Sequence, residues 1–367
     1  MKILHVSTAD SWRGGEQQVA YLTVELQKKD IAQIICCPDS SPLSNNCKQH
    51  NLPVASFSSR GIVNIKLAQH IKHICERNSV TLIHTHDAHG HTAAVLSAII
   101  FGNKIPIVVS RRVDVPVSKS PFSKIKYNHH AIKKIICVSE KIKEITSPSI
   151  KDKSKLCVVY SGIDPEKFKK ETPSNKLHIE LGLNESVPIV GNISALAPHK
   201  DYYTFIDTAE IVLKSRPDVR FVIIGDGPEK EQIHEYIEHK NLSTKIICTG
   251  FRNDISVIFP ELTIFLMTSD TEGLGTSLLD AFAANVAVVS TAAGGIPEIV
   301  KHNQTGLLAP IRDVRKLSDY VIQLLEDDEL RKRIAAHALE FVKTFSKENT
   351  ALNTLHYYDE VMTQNRN

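Results

Sequence analysis

Thr271-Glu272-Gly273-Leu274-Gly275-Thr276-Ser277-Leu278-Leu279-Asp280 joins an apolar run, Ile264-Phe265-Leu266-Met267, to the helix-forming stretch Ala281-Phe282-Ala283-Ala284. The apolar run predicts a buried parallel strand. A strand therefore ends, a loop with two glycines turns, and a helix begins. The start of a helix presents backbone N–H groups without helical partners and the positive end of the dipole, both suited to a phosphate. Gly273 and Gly275 let a ligand approach the backbone closely. A carboxylate beside an anion site does not serve the phosphate. Glu272 is better placed to accept hydrogen bonds from hydroxyls, as on a sugar or a ribose. Asp280 follows eight residues later, inside the helix.

Outward from this segment the chain alternates β-rich apolar runs with amphipathic stretches. Strands are expected at 2–7, 31–37, 54–57, 81–84, 107–110, 134–138 and 156–160, with helices such as 16–28, 65–77 and 91–101 between them. That rhythm argues for a parallel sheet with helices on both faces. It restarts with strands at 188–193, 220–224, 245–248, 264–267, 286–290 and 305–308. Two Rossmann-like doubly wound domains in tandem follow, as 367 residues also suggest. Ser161-Gly162-Ile163-Asp164-Pro165 and the polar stretch to about Glu185 read as linker. The tail from Asp313 reads as almost entirely helical. Ligands of doubly wound sheets bind outside the C-terminal strand ends. The site is therefore expected in a cleft between the domains.

The 42% hydrophobic and 23% charged content is that of an ordinary globular chain. The apolar start after Met1 is too short for a signal peptide, and Ala93 to Phe101 is far below membrane-spanning length, so a cytoplasmic protein is expected. The seven cysteines lack C-x2-C spacing and read as reduced, buried thiols. Residues 1–165 hold 22 Lys and Arg against 12 Asp and Glu, whereas the remainder holds 22 against 29. The basic residues crowd between Lys119 and Lys155. They read either as solvated helix faces or as a surface for an anionic acceptor or a peripheral contact with anionic membrane through 119–155. No aromatic interleaving or known module accompanies them, so no nucleic-acid partner is expected.

Other candidate residues stand at strand ends. Gly14-Gly15 follow the first strand without forming the G-x-G-x-x-G dinucleotide fingerprint. Trp12, in the same loop, either stacks on an acceptor sugar or caps the core. Ile83-His84-Thr85-His86-Asp87 ends the fourth strand, with His89 and His91 beyond. The histidine spacing matches no zinc signature. Of Arg111 and Arg112, adjacent on an extended chain, one should reach the cleft and hold an anion on the acceptor; the alternative is a salt bridge with Asp114. Gly191-Asn192-Ile193-Ser194-Ala195-Leu196-Ala197-Pro198-His199-Lys200 opens the second domain. Gly225-Asp226-Gly227-Pro228, Gly250-Phe251-Arg252 and Ala293-Gly294-Gly295-Ile296-Pro297-Glu298 end three of its later strands.

Glu272 and Asp280 resemble the acidic-x7-acidic motif of the retaining family 4 glycosyltransferases, which have the GT-B fold, and the remaining segments resemble that family's loops in order and spacing. The resemblance implies a 1–165 acceptor-binding domain completed by a C-terminal helix of about 346–367, and a 166–345 domain that binds a nucleotide-sugar donor. It implies that Glu272 contacts donor sugar hydroxyls, that Gly273, Leu274, Gly275 and Thr276 hold the diphosphate with their backbone, and that Asp280 holds the ribose. Lys200 matches a diphosphate-binding lysine, and Asn192 stands where an arginine is usual, with His199 or Arg252 as a substitute cation. Phe251 and Arg252 lie on the side of the base, Gly14 and Gly15 near the donor phosphate, and His86 at the active centre. Trp12, Arg111 and Arg112 are the acceptor candidates. The function implied is metal-independent, retaining transfer from a nucleotide-diphosphate sugar, with UDP or GDP as the nucleotide and no cofactor, to a glycan or lipid-linked acceptor. A sugar-nucleotide 2-epimerase on the same fold and a catalytically silent nucleotide-sugar-binding partner subunit are the alternatives.

Overall fold

The strands expected from the apolar runs all form. In the computed structural model, which describes residues 1–58, 64–169 and 175–365, they are β1 (Lys2–Val6), β2 (Ala32–Pro38), β3 (Val54–Phe57), β4 (Leu82–Thr85), β5 (Ile107–Arg111), β6 (Ile132–Cys137) and β7 (Leu156–Val158). The series continues with β8 (Ile189–Ile193), β9 (Arg220–Ile224), β10 (Ile246–Gly250), β11 (Ile264–Met267), β12 (Ala287–Thr291) and β13 (Leu307–Ala309). The first seven pair in the order β3-β2-β1-β4-β5-β6-β7 and the other six as β10-β9-β8-β11-β12-β13. Every pairing is parallel. The chain divides into two compact units, Met1–Gly162 with Lys347–Asn367, and Ile163–Ser346.

In the first unit β1 and β4 are neighbours although two strands separate them in sequence, and in the second β8 and β11 are. At these places the winding reverses, and the loops leaving the two strands part to either side. The core residues follow the strand pattern. Leu4, Val6, Ile83, Ile107 and Val109 are buried in one cluster of the first unit, and Val190, Phe221, Ile223, Ile264 and Leu266 in the main cluster of the second. The last helix, Lys347–Gln364, packs against the helix Gly14–Gln27, and its Ala351, Tyr358 and Val361 are buried with Ile3, Leu22 and Leu82.

The stretch read as linker is partly built. Residues 170–174 lie outside the described residues, but the short helices Glu166–Lys169 and Lys176–Glu180 flank them. The second is pinned by Glu261, whose carboxylate accepts the N–H groups of Leu177 and His178 at 3.0 and 3.1 Å. A buried carboxylate that meets two N–H groups and the His178 ring is a fixed anchor. All seven cysteines are free, and all but the half-buried Cys248 are buried, with burial raising their thiol pKa values. No helix among the described residues is long and apolar enough to cross a membrane.

Gly225, after β9, is required by close packing. Its φ is +152°, and a Cβ there would lie 1.9 Å from the Ser194 carbonyl oxygen. Gly225→Ala should therefore cost on the order of 3 kcal/mol. Gly182→Ala, at a φ of +63° with open space around it, should cost only about 1 kcal/mol of backbone strain. Chemical denaturation of the two variants checks this; equal losses would show that the Ser194 contact is not what excludes a side chain.

Candidate active site

In the second unit the loops after β8 and β11 are laced together. The turn Pro198–Lys200 leads into Asp201, which caps the helix Tyr202–Ser215 by accepting from the Thr204 N–H. Thr268, just past β11, donates its hydroxyl to the carbonyls of Lys200 and Asp201 at 3.2 and 2.9 Å, and the Asp270 N–H donates to His199 at 2.9 Å. Thr291, ending β12, donates to the Ser269 carbonyl at 2.6 Å. The Gly295 N–H donates to the Glu272 carbonyl at 3.0 Å. The backbone of Glu272 is thus braced by neighbouring strand ends, and its carboxylate meets the Lys200 ammonium and the Ser269 hydroxyl, the latter at 3.1 Å.

The helix Thr276–Ala283 begins at Gly275, in the left-handed region at φ +89°, and carries no side-chain cap. A Cβ on Gly275 would press on Leu278 at 2.9 Å. Leu274 is buried, which leaves its backbone as the part able to serve a ligand. Asp280 pairs with Lys167 at 2.7 Å, both within this unit. Burial raises the Asp280 pKa, and Lys167 opposes that shift. The pair already satisfies a carboxylate that a ribose would otherwise engage.

Two donor-side expectations change. Asn192 is buried, and its amide is engaged in the core: Nδ2 donates to the Leu266 carbonyl at 2.8 Å, and Oδ1 accepts from Tyr202 and Ser194 at 3.0 and 2.9 Å. It locks β8 to β11 through one of its two amide N–H groups. Arg252 is held by Glu180 and Asp254 and is no free cation. Phe251 beside it is exposed, a flat apolar face open to stacking.

In the first unit the loops after β1 and β4 meet in the same way. Asp87 caps the helix Ala88–Phe101 through the Gly90 N–H at 2.8 Å and accepts the Thr8 hydroxyl at 2.7 Å. Gly14 and Gly15 open the helix Gly14–Gln27, whose capping box ties the Arg13 N–H to Glu16 at 2.9 Å. A Cβ on Gly15 would meet nothing, so this backbone is open to a ligand. Trp12 packs against the apolar cluster of Val19, Ile35 and Leu43, which favours the capping role over the sugar-stacking one.

Beneath these loops lie His5, His84 and His86, all buried. His84 faces the Tyr358 hydroxyl and, at 2.8 Å, Ser110. It is a satisfied core histidine. His86 Nε2 lies 3.0 Å from His5 Nδ1, and its Nδ1 has no partner. Burial holds all three pKa values below the usual 6.5, that of His5 at about 3. Sequence reasoning passed over His5. The signal was its place in register with His84 on the neighbouring strand. The three rings bring their nitrogens close enough for a metal ion, but His84 already spends both on Tyr358 and Ser110. His89 and His91 lie on the helix Ala88–Phe101, His89 exposed and His91 buried edge-on to Tyr127. Arg111 turns back to the Val115 carbonyl, and Arg112 points to Ser161.

The arrangement is a pair of doubly wound units, each carrying polar residues at the reversal of its winding. A family model described as "Glycosyl transferases group 1" matches residues 173–341, and one described as "Glycosyltransferase Family 4" matches residues 12–167. The chain belongs to glycosyltransferase family 4. It resembles the N-acetyl-alpha-D-glucosaminyl L-malate synthase of Bacillus anthracis, at 27% identity over 83% of this chain and 81% of that protein. It also resembles an Escherichia coli enzyme named UDP-Gal:alpha-D-GlcNAc-diphosphoundecaprenol alpha-1,3-galactosyltransferase, at 23% identity over 90% of this chain and 89% of the other. Among solved structures, Anabaena HepE in complex with UDP and glucose superimposes with a TM-score of 0.84 at 21% identity, covering 98% of this chain and 99% of that one. This likeness makes the fold GT-B.

Within this family 4 chain the lysine-rich stretch 119–155 is less free than its composition suggested. Lys126 is buried against the Ala88 carbonyl and Thr92, Lys134 pairs with Glu360, and Lys141 and Lys143 pair with Glu144 and Glu140. Lys119, Lys124, Lys151 and Lys153 are exposed.

The neutral histidines make a pH prediction. Below about pH 6.5 the unfolded chain binds more protons at each ring than the folded chain, so stability rises with pH in that range. It is complete above about 6.5 and falls as the pH drops, by up to about 1.4 kcal/mol per pH unit for each ring that stays neutral. Melting temperatures measured from pH 7 to pH 5 should fall accordingly, and a flat profile would contradict the buried neutral cluster.

Proposed function

We propose that this glycosyltransferase moves a sugar from a nucleotide-diphosphate sugar to a glycan or lipid-linked acceptor with retention of configuration and without a metal. The observation that carries the reading is the Glu272 carboxylate, braced by Lys200 and Ser269 beside a helix start that lacks a side-chain cap. Glu272 accepts hydrogen bonds from the donor sugar hydroxyls and thereby orients the ring. Lys200 and the first-turn N–H groups meet the charge that grows on the departing diphosphate, with the helix dipole behind them. Bond cleavage runs ahead of bond formation, through an oxocarbenium-like transition state. The departing phosphate takes the acceptor proton on the face it leaves, so Glu272 forms no covalent bond. Lys200 releases Glu272 as the diphosphate arrives, because the ammonium then has a second, stronger anionic partner. Asp280 holds the ribose once Lys167 swings aside, and Phe251 stacks on the base.

His86 serves the reacting end from the first unit as a neutral imidazole. Uridine is favoured as the base because the names of several relatives and solved neighbours carry UDP or UDP-sugars. Contact with an anionic membrane would rest on Lys119 and Lys124 together with exposed Phe122 and Ile125 on the helix Pro121–Asn128.

Glu272→Ala should lower transfer at least about a hundredfold with the fold intact, as for the loss of one transition-state contact. Product analysis with UDP- and GDP-sugars checks this. An epimerised donor, or turnover unchanged in the variant, would sink the assignment. Asp280→Asn should weaken UDP-dependent thermal stabilisation and leave turnover at saturating donor nearly unchanged; equal UDP affinity would remove Asp280 from the ribose. The stabilisation by UDP should also survive EDTA.

A further inference from the structure

Arg112, in the first unit, is a cation whose guanidinium is poorly compensated. It follows the last residue of β5, and its guanidinium makes one long hydrogen bond, Nη1 to Ser161 Oγ at 3.5 Å. Its Nε is buried with no partner. No ion pair among the described residues includes it. Glu16 attracts it electrostatically without forming an ion pair, and its carboxylate also accepts the Arg13 N–H. Burial outweighs this attraction and draws the Arg112 pKa down to about 10.

A buried cation in this state lowers stability unless something compensates for lost hydration. Water does so only in part. A cavity of about 20 Å³, lined by Arg112, Ser110, Ser161, Gln18, His84 and Thr354 among others, lies against it. That volume takes one water and no carboxylate or phosphate. The residue as a whole is half-buried. The partner Ser161 is fixed in place: Gln18 donates to the Gly162 carbonyl at 2.6 Å and accepts the Gly162 N–H at 3.2 Å. The same cavity is lined by His84, whose neighbour on the strand end is the His86 imidazole assigned to the reacting end. A planar guanidinium of this kind matches a carboxylate or a phosphoryl group through two parallel hydrogen bonds.

We infer that Arg112, with Ser161, is the anion-recognition site for the acceptor, and that the acceptor carries a carboxylate or phosphoryl group near the hydroxyl that is glycosylated. This rests on the glycosyl-transfer reading above. Arg111 has no part in it, since its guanidinium is turned to the Val115 carbonyl.

The test is thermal stabilisation of the full chain and of Arg112→Met by L-malate, by glycerol 3-phosphate and by uncharged glycerol, at constant ionic strength, with and without saturating UDP. The expected result is a saturable rise in melting temperature with one of the two anions and none with glycerol, weakened at least tenfold in Arg112→Met. Which anion acts separates a carboxylate acceptor from a phosphorylated one. Without ligand, Arg112→Met should melt at or above the parent temperature, because the variant removes a buried charge that has no counter-ion. Its UDP stabilisation should be unchanged. Anion effects that are absent, or that persist in the variant, would overturn the inference. A loss of UDP binding would do so too, by assigning Arg112 to the donor diphosphate, and a large fall in the unliganded melting temperature would make Arg112 structural. Failure of UDP to stabilise the parent protein would instead strike at the glycosyl-transfer reading, with the anion response still measurable.

Discussion

Parallel strand pairing requires a long crossover at every connection, and here the crossovers lay helices on both faces of each sheet. The strands are then sealed from water, which is why they read as unbroken apolar runs such as Ile264–Met267. All strands of a sheet end at one edge, and polar chemistry can appear only there. The reversal of winding between β1 and β4, and between β8 and β11, opens the loops that carry Gly14, Gly15, His86, Lys200 and Glu272. The placement of these loops is a consequence of strand direction before it is a property of any side chain.

Holding those loops open uses buried polar groups. Asn192 binds β8 to the Leu266 carbonyl of β11, Thr268 ties the Lys200 turn to the Glu272 loop, and Asp87 joins the end of β1 to the start of the helix after β4. In a low-dielectric setting such bonds are expensive to break, so they rigidify the site. The charges left outside this lacing are those expected to meet ligands. Glu272 and Lys200 neutralise each other, Asp280 and Lys167 do the same, and Arg112 forms no ion pair among the described residues.

Much of this was legible in the linear chain. Strand positions followed from apolar runs, and β9 and β11 begin and end where those runs do. Gly275 was readable as a loop residue because it lies between an apolar strand run and a helix-forming stretch, and its backbone is left-handed at φ +89°. The fate of individual polar side chains was not. Asn192 looked like a weakened phosphate ligand, yet it is buried within β8, where it meets Tyr202 and Leu266. Lys126, Lys134, Lys141 and Lys143 looked like a basic surface, yet each has a partner, brought by the helix Ala88–Phe101 for Lys126, by the distant last helix for Lys134 and by local helix spacing for Lys141 and Lys143. His5 drew no notice, since its neighbours His84 and His86 lie some eighty residues away and only strand pairing joins them.

The sequence by itself determined the secondary structure, the two parallel sheets and the segments where ligands must be sought, because hydrophobic periodicity and glycine placement act over a few residues. Only the tertiary structure decided which charged and polar groups remain available. That depends on partners such as Glu180 for Arg252, Lys167 for Asp280 and Tyr358 for His84, and on the missing partner of Arg112. Those pairings join positions up to 274 residues apart, and electrostatic compensation is settled by distance in space, which no local pattern encodes.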